Sequence, residues 1–537
     1  MQVRSVTISS AMSETPSRLR HSVASLGLIA ILALILLAGF ALHAYWMLQN
    51  HDNSWYLVTA DRLLAGGHYV SDFDEPNPPL IILLMVPPAL AAVWLHLTPY
   101  TAFSAYVELL IAISTLIVRP VVAWFYPGRY GVVALILIAY VAILTFDPGY
   151  EYGQREHLAT ILFCPGLFWF AAREAGRPAA LTGSALLAVL LASLSVLIKP
   201  YFLLVPAALF VTRAARMRTW RVLADPAACI LVSMVILYGI LILSVFSDYL
   251  KEVAIQRQVY FAWDRGWLDV MDASRDGVAA LCLAIAVTTL VPMPRERRLL
   301  SGYLCLAAVA WLIAAWVQKR GYAYQLLPAV ELADLVLVVA LIEVVGNTQS
   351  HGRLGLSRFA VAGAILTAGA FVSLRPLMES TTFARYAFQN KPLIRNLRDL
   401  AAGRPVLLLT GGFQFGVPFL ANVQLGSRAP SQILLPGIVR LTEGNAVQQA
   451  TAKRLATLAS QELVEDIDRY KPNIVALDQR SGRQALPDDF SILDFYLQHQ
   501  DFRLAWQHYK PVKSDGGWEF FVRLPDSELD GGRSRTP

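Results

Sequence analysis

The chain has 537 residues, 56% of them hydrophobic and only 16% charged, with a mean hydropathy of +0.49 and a formal net charge of +6. That balance excludes an ordinary soluble domain. Apolar runs long enough to cross about 30 Å of hydrocarbon recur from about residue 24 to residue 376, after which the composition turns soluble. The expected fold class is therefore a polytopic α-helical membrane protein, 24–376, with a C-terminal α/β domain, 377–537; membrane lipids are expected partners and nucleic acid is not.

The first apolar run, Val23–Leu48, follows Arg18 and Arg20 and lacks a small-residue cleavage site, so it reads as an uncleaved span after a cytoplasmic N-terminus, 1–23. A polar segment, His51–Leu80, comes next and carries seven acidic or histidine side chains and four aromatics between two apolar runs. Cys164, Cys229, Cys282 and Cys305 all lie inside apolar runs, which excludes a disulfide framework and a cysteine metal site.

Basic residues in short loops mark the cytoplasmic side. Arg213, Arg216, Arg218 and Arg221 form one such loop, Arg295, Arg297 and Arg298 another, and Arg119/Arg129, Arg173/Arg177 and Arg353/Arg358 are assigned to the same side. Segments 147–157, 248–275 and 318–325, and everything after residue 376, then face outward. Three apolar runs (24–48, 79–96 and 101–118) lie where parity admits two crossings. Pro87-Pro88 at the centre of 79–96 marks it as a broken re-entrant or interfacial hairpin, which leaves about eleven full spans.

This topology gathers the unusual side chains on one face. Asp52, Asp61, Asp72, Asp74 and Glu75 lie in the first loop, 49–79; Arg155, Glu156 and His157 follow in DPGYEYGQREH; Lys251, Arg257, Trp263, Asp264, Arg265 and Asp269 lie in 248–275. Lys199 and the Lys319-Arg320 pair stand at span ends on the same side. Singly, a loop acid is ordinarily solvated and a cation at a span end ordinarily snorkels. Together they suit a reaction in which a lipid phosphate leaves and a hydroxyl attacks, with aspartate as general base and a cation neutralising the departing phosphate. Asp52, held in depth by the preceding span, is the leading candidate.

The pattern D-x-x-x-Y-x-x-x-A-x-x-L-L-x-G-x-x-Y-x-x-D-F-x-x-x-x-P-P-L, from Asp52 to Leu80, resembles the opening of GT-C glycosyltransferases, in particular the group containing protein O-mannosyltransferases and lipid A aminoarabinose transferase. The resemblance implies a GT-C fold over about residues 24–345, a polyprenyl-phosphate sugar donor, Asp52 as the base, and an inverting hexosyl- or pentosyltransferase of the bacterial inner membrane. Asp72 in the same pattern joins Asp52 as a catalytic candidate. GQREH, LIKPYF and QKRGYAYQLLP are also similar to bacterial members, which implies phosphate contact for Arg155, Lys199, Lys319 and Arg320. Tyr56, Asp74, Glu75, Glu156, His157 and Tyr324 complete the candidate substrate-binding set. The chain departs from the pattern at Asn53, where an acid is common, and at Asn77, where a base is common.

In the C-terminal part, RPVLLLT (404–410), NIVALD (473–478) and WEFFVRL (518–524) read as strands and RLATLASQELVEDIDRY (454–470) as an amphipathic helix. Thr410-Gly411-Gly412 lacks the lysine of a phosphate loop. The acceptor class, whether glycan, lipid or protein, stays open. No cofactor is established by the sequence and metal dependence stays open; Asp52, Asp72, Asp74 and Glu75 are the carboxylates available to a divalent metal. The alternatives are a lipid-linked oligosaccharide ligase or polymerase, and a transporter or flippase, whose ionisable groups belong at the midplane. The topology makes a direct prediction: a reporter fused after Pro537 that is active only in the cytoplasm stays dark, and activity in that fusion overturns the assigned sidedness.

Overall fold

The computed structural model describes residues 15–178, 181, 183–346, 385–412, 414, 416–483 and 486–525. Fourteen helices precede the break at 347: α1 Thr15–Ala41, extended by a π-turn Leu42–Trp46, α2 His51–Leu64, α3 Leu80–Trp94, α4 Pro99–Phe125, α5 Tyr130–Phe146, α6 Arg155–Glu174 and α7 Ser184–Leu197. They continue with α8 Leu204–Met217, α9 Pro226–Val245, α10 Ser247–Gln256, α11 Trp267–Ala273, α12 Arg275–Leu290, α13 Arg295–Val317 and α14 Ala323–Gly346. Four described helices are by themselves long and apolar enough to span a membrane: Ser25–Trp46, Pro99–Phe125, Pro226–Val245 and Arg295–Val317. The count of about eleven spans is not reached on that measure, and the last expected run, with Arg353 and Arg358, lies outside the described residues.

One expectation is corrected. Residues 79–96 do not form a broken hairpin; α3 is a continuous 15-residue helix with Pro87 and Pro88 inside it. Proline keeps a helical φ although it removes a donor and crowds the carbonyl one turn back, and Ile81, Ile82, Met85, Pro88 and Ala89 of this helix are buried. At ~1.5 Å per residue α3 is about 22 Å long, shorter than the hydrocarbon core. Its start adjoins the first loop, where Leu80 N–H donates to Tyr238 Oη at 2.9 Å, and four residues after its end α4 begins with Tyr100, hydrogen-bonded to Ser54 of α2 at 2.8 Å. Val93, Trp94 and Leu95 at the end of α3 are exposed.

The arginine-bearing ends meet on the opposite face. Arg213 pairs with Glu174 at 3.0 Å and Asp225 at 2.8 Å, Arg173 with Asp225, and Arg216 with Glu174. Arg297 reaches Glu343 at 2.9 Å and stacks over Tyr126 at 4.3 Å. The four-arginine loop thus contains no acid of its own but borrows Glu174 and Asp225 from neighbouring helices.

The C-terminal part folds around a five-stranded sheet of order β2-β1-β3-β5-β4, with β1 Pro405–Leu409, β2 Gln424–Leu425, β3 Ile474–Asp478, β4 Tyr509–Asp515 and β5 Trp518–Arg523. β1 pairs in parallel with β2 and β3, and the β5 pairs are antiparallel. PVLLL and IVALD are unbroken apolar runs because both faces of these strands are covered. The crossover helix Ala446–Tyr470 starts at a capping box of Asn445 and Gln448, eight residues before the expected 454. Val259, from the loop after α10, is buried in the core of this part beside Leu435 and Ile438, where a Cβ on Gly437 would meet it.

Three arginines stitch the sheet to the first loop. Arg62 donates to the carbonyls of Asp72 (2.7 Å), Ser427 (2.8 Å) and Leu425 (2.9 Å). Arg428 donates to Val70 O at 2.9 Å, and Arg469 bonds Asp72. Arg62→Ala strips three acceptors at once and is expected to cost about 2 kcal/mol, read as a lower unfolding midpoint and faster proteolysis between residues 385 and 525. Arg62→Lys, a point charge without the fork, is expected to restore only part of the loss.

Candidate active site

A cavity of about 780 Å³ lies where the first loop, the start of α6, the segments around 260–265 and 320–324, and the C-terminal part come together. Asp52 stands in its wall. Asn50 caps α2 by accepting from Asp52 N–H at 2.8 Å, and is itself gripped by Gln154 Nε2 and by Glu151 Oε2, each at 2.6 Å. Gln49 donates to His43 O at 2.8 Å, fixing the chain as it leaves α1. The first turn of α2 is therefore held in depth and rotation by the loop before α6.

The Asp52 carboxylate accepts from Gln154 Nε2 and Arg155 Nη2, both at 3.1 Å, and lies 3.3 Å from His51 Nε2. Burial alone would raise this carboxyl; the His51 and Arg155 charges, the Gln154 bond and Lys199 outweigh it and hold Asp52 below its ordinary value. His51 is pushed down by burial, against the pull of Asp52. Its Nδ1 faces Tyr150 Oη at 3.0 Å and its Nε2 faces Asp52.

Arg155 is only 4% exposed, between the rings of Tyr56 (5.6 Å) and Tyr324 (5.4 Å), and bonds Asn77. The base missing at position 77 is thus supplied from α6. Lys199 sits behind the cavity wall, donating to Glu156 Oε1 at 2.8 Å and Gln318 Oε1 at 3.0 Å. Arg320 lines the cavity, paired with Asp264 at 2.8 Å and stacked on Tyr260 at 4.2 Å.

Asp74, Glu75, Tyr56 and Tyr324 also line the cavity. Glu75 accepts from Asn77 N–H at 2.7 Å, and burial raises it to about 7. Four candidates are elsewhere. Lys319, in a left-handed turn, points to Trp267 at 5.0 Å. Asp72 caps its own turn through His68 N–H (2.9 Å) and Ser71 (2.7 Å) and bonds Arg469, outside the cavity lining. His157 is a buried strut, accepting from Gly153 N–H at 2.9 Å and bonded to Leu144 O at 2.8 Å. Glu156 serves Lys199. Glu331 lies against His157 at 3.7 Å, and neither it nor Asp334 reaches the cavity. Asn53 donates to Tyr152 O at 2.8 Å, a role an acid could not fill.

Among the described residues no group of three or more His, Cys, Asp or Glu is arranged to hold a metal. Asp52, Asp72 and Glu75 are instead each committed to a different partner. Lining residues that sequence reasoning missed are Tyr260, Tyr322 and, from the C-terminal part, Lys391, Gln414, Arg480 and Trp518. The last four are scattered over more than a hundred residues of chain with no common pattern.

No protein-family model matches the chain, and no curated protein does. Among solved structures, ArnT from Cupriavidus metallidurans in the apo state aligns with 13% identity over 93% of this chain and 98% of that one, at a TM-score of 0.52. The same protein bound to undecaprenyl phosphate aligns with 11% identity over 92% and 97%, at 0.55. The apo oligosaccharyltransferase of Archaeoglobus fulgidus gives 11% over 93% and 75%, at 0.44. The chain shares the overall fold of ArnT.

A buried acid raised in the folded state favours its protonated form, so its contribution to stability is complete below its unfolded value and is lost as pH rises toward the folded one. For Glu75 that window runs from 4.5 to about 7. Glu75→Gln is expected to flatten the fall of the unfolding midpoint across this range; an unaltered slope removes Glu75 as its source.

Proposed function

We propose that the chain is a membrane glycosyltransferase that moves a single sugar from a polyprenyl-phosphate donor to an acceptor hydroxyl on the extracytoplasmic face. One observation carries the reading: an ionised aspartate, Asp52, and a buried arginine, Arg155, are held 3.1 Å apart in the wall of one cavity at the membrane surface. The fold of ArnT, one of whose structures holds undecaprenyl phosphate, supports the donor class.

In this mechanism the donor phosphate enters beside Arg155, with Lys199 behind it and Arg320 across the cavity. Asp52 loses part of its counter-charge to the phosphate, which raises its basicity when the acceptor is in place. The acceptor oxygen attacks the anomeric carbon while its proton passes to Asp52. The bond from that carbon to the phosphate oxygen breaks, and the electron pair leaves on a phosphate neutralised by arginine. A single displacement inverts the anomeric centre. His51 backs the second Asp52 oxygen.

The transporter reading is less well supported, because the acids within the spans (Glu108, Glu331, Asp334, Glu343) do not line the cavity. A cavity of about 780 Å³, roofed by the C-terminal part, suits a monosaccharide donor better than the long oligosaccharide of a ligase or polymerase. By the basic-loop rule the N-terminus is cytoplasmic and the sheet extracytoplasmic; the resemblance of the first-loop pattern supports a bacterial inner membrane as the host.

Purified protein incubated with a panel of polyprenyl-phosphate hexoses and pentoses is expected to release polyprenyl phosphate from at least one. Asp52→Asn is expected to lower that rate by about 10²–10⁴-fold, whereas Asp72→Asn keeps the rate per folded molecule and lowers the unfolding midpoint. No release from any donor refutes the transferase reading, and equal loss in both variants refutes the assignment of Asp52 alone.

A further inference from the structure

The far wall of the cavity is built by three separated pieces of the C-terminal part. The helix Pro392–Ala401 begins there with Lys391 at its N-cap, and Leu393 and Ile394 of its first turn line the cavity with no side chain capping their N–H groups. Arg480 follows the end of β3, and Trp518 opens β5. The pieces are closely fitted. Gly516 and Gly517 of the β4–β5 turn have positive φ, and a Cβ on them would come within 2.5 Å of Pro392 Cγ and 2.6 Å of Arg480 Cγ. The parallel strands β1 and β3 also direct their carboxyl ends to this wall, through Gln414 and Arg480, and such ends are where α/β sheets bind ligands.

The charges on this wall are unbalanced. Asp478 occupies Nε and Nη2 of Arg480, each at 2.8 Å, which leaves Nη1, while the guanidinium is braced on Trp518 at 4.7 Å. Lys391 has no carboxylate partner among the described residues; it rests 3.4 Å over Phe388, and burial together with Arg480's charge lowers its ammonium. A lysine without a carboxylate partner, lying in the field of Arg480 beside an uncapped helix N-terminus, is settled by an anion. The donor phosphate is already provided for on the opposite wall by Arg155.

We infer that this wall is an acceptor subsite, in which Lys391, Arg480 and the first turn of the helix Pro392–Ala401 recognise an anionic group, phosphate or carboxylate, carried by the acceptor. The inference rests on the transferase reading for the word acceptor, but not for the binding itself. Trp518 keeps the arginine in position, so specificity for a charged over a neutral acceptor lies in the C-terminal part rather than among the membrane helices.

Calorimetry on the full-length protein in detergent with glucose 1-phosphate, glucuronate and glucose tests it. At least one anionic sugar is expected to bind and glucose is not, and the sugar that binds distinguishes phosphate from carboxylate. Lys391→Glu, at an exposed position, is expected to weaken that binding at least about tenfold with an unchanged unfolding midpoint, and Lys391→Gln by less. Undecaprenyl phosphate, titrated separately, is expected to bind both variants as it binds the parent and to lose affinity in Arg155→Gln. Equal binding of all three sugars, no binding of either anion, or anion binding indifferent to Lys391→Glu overturns the subsite. Failure of the parent protein to bind undecaprenyl phosphate counts instead against the donor reading and leaves the Lys391 result to be read by itself.

Discussion

Two helix N-termini meet beneath the cavity, and the rest of the site depends on that meeting. α2 begins at His51 and α6 at Arg155; Asn50 caps the first, Gln154 caps the second, and the two caps bond each other at 2.6 Å. Both helix dipoles thereby present their positive ends near Asp52. Arg155 adds a full charge, and the sum overcomes the burial that would otherwise protonate the carboxylate. Removing any one of these elements would leave an acid that is misplaced or neutral.

A second constraint is the seam between the membrane helices and the sheet. The backbone carbonyls of the first loop and of the segment after β2 are answered by Arg62, Arg428 and Arg469 rather than by a shared strand. Around Arg428 lie Asp74, Glu252, Glu462 and Asp466, all raised first of all by burial and all but Asp466 also by one another's proximity. Arg428 and Arg62 face these carboxylates, and burial at this seam favours their protonated forms. Val259 completes the join by giving a membrane-loop side chain to the core of the sheet.

The Asp52 site was legible because a membrane bundle has no use for a dense polar segment after a span, and the depth of Asp52 follows from the helix before it. Arg155 and Arg320 were legible as cations at outward span ends. Asp72 and His157 misled for a common reason: both are polar groups in the right loops, yet each satisfies backbone groups of its own turn, and a one-dimensional pattern does not distinguish a cap from a catalyst. Lys319 and Arg320 are adjacent in sequence, but the left-handed backbone at Lys319 sends the two side chains to different aromatic partners, Trp267 and Tyr260. The double proline misled in another way, since two prolines remove donors without forcing a bend where packing holds the helix.

By itself the sequence determined the membrane class, the segregation of acids and cations to one face and arginines to the other, the strands β1, β3 and β5, and Asp52 as the residue of interest. These follow from local hydropathy, charge and periodicity, which neighbouring residues carry together. The tertiary structure alone decided that Gln154 and Arg155 orient Asp52, that α3 stays a continuous helix, and that Lys391, Arg480 and Trp518 wall the same cavity. Those are contacts between residues from about a hundred to more than four hundred positions apart. Their geometry is set by how helices and sheet pack, which no local pattern encodes.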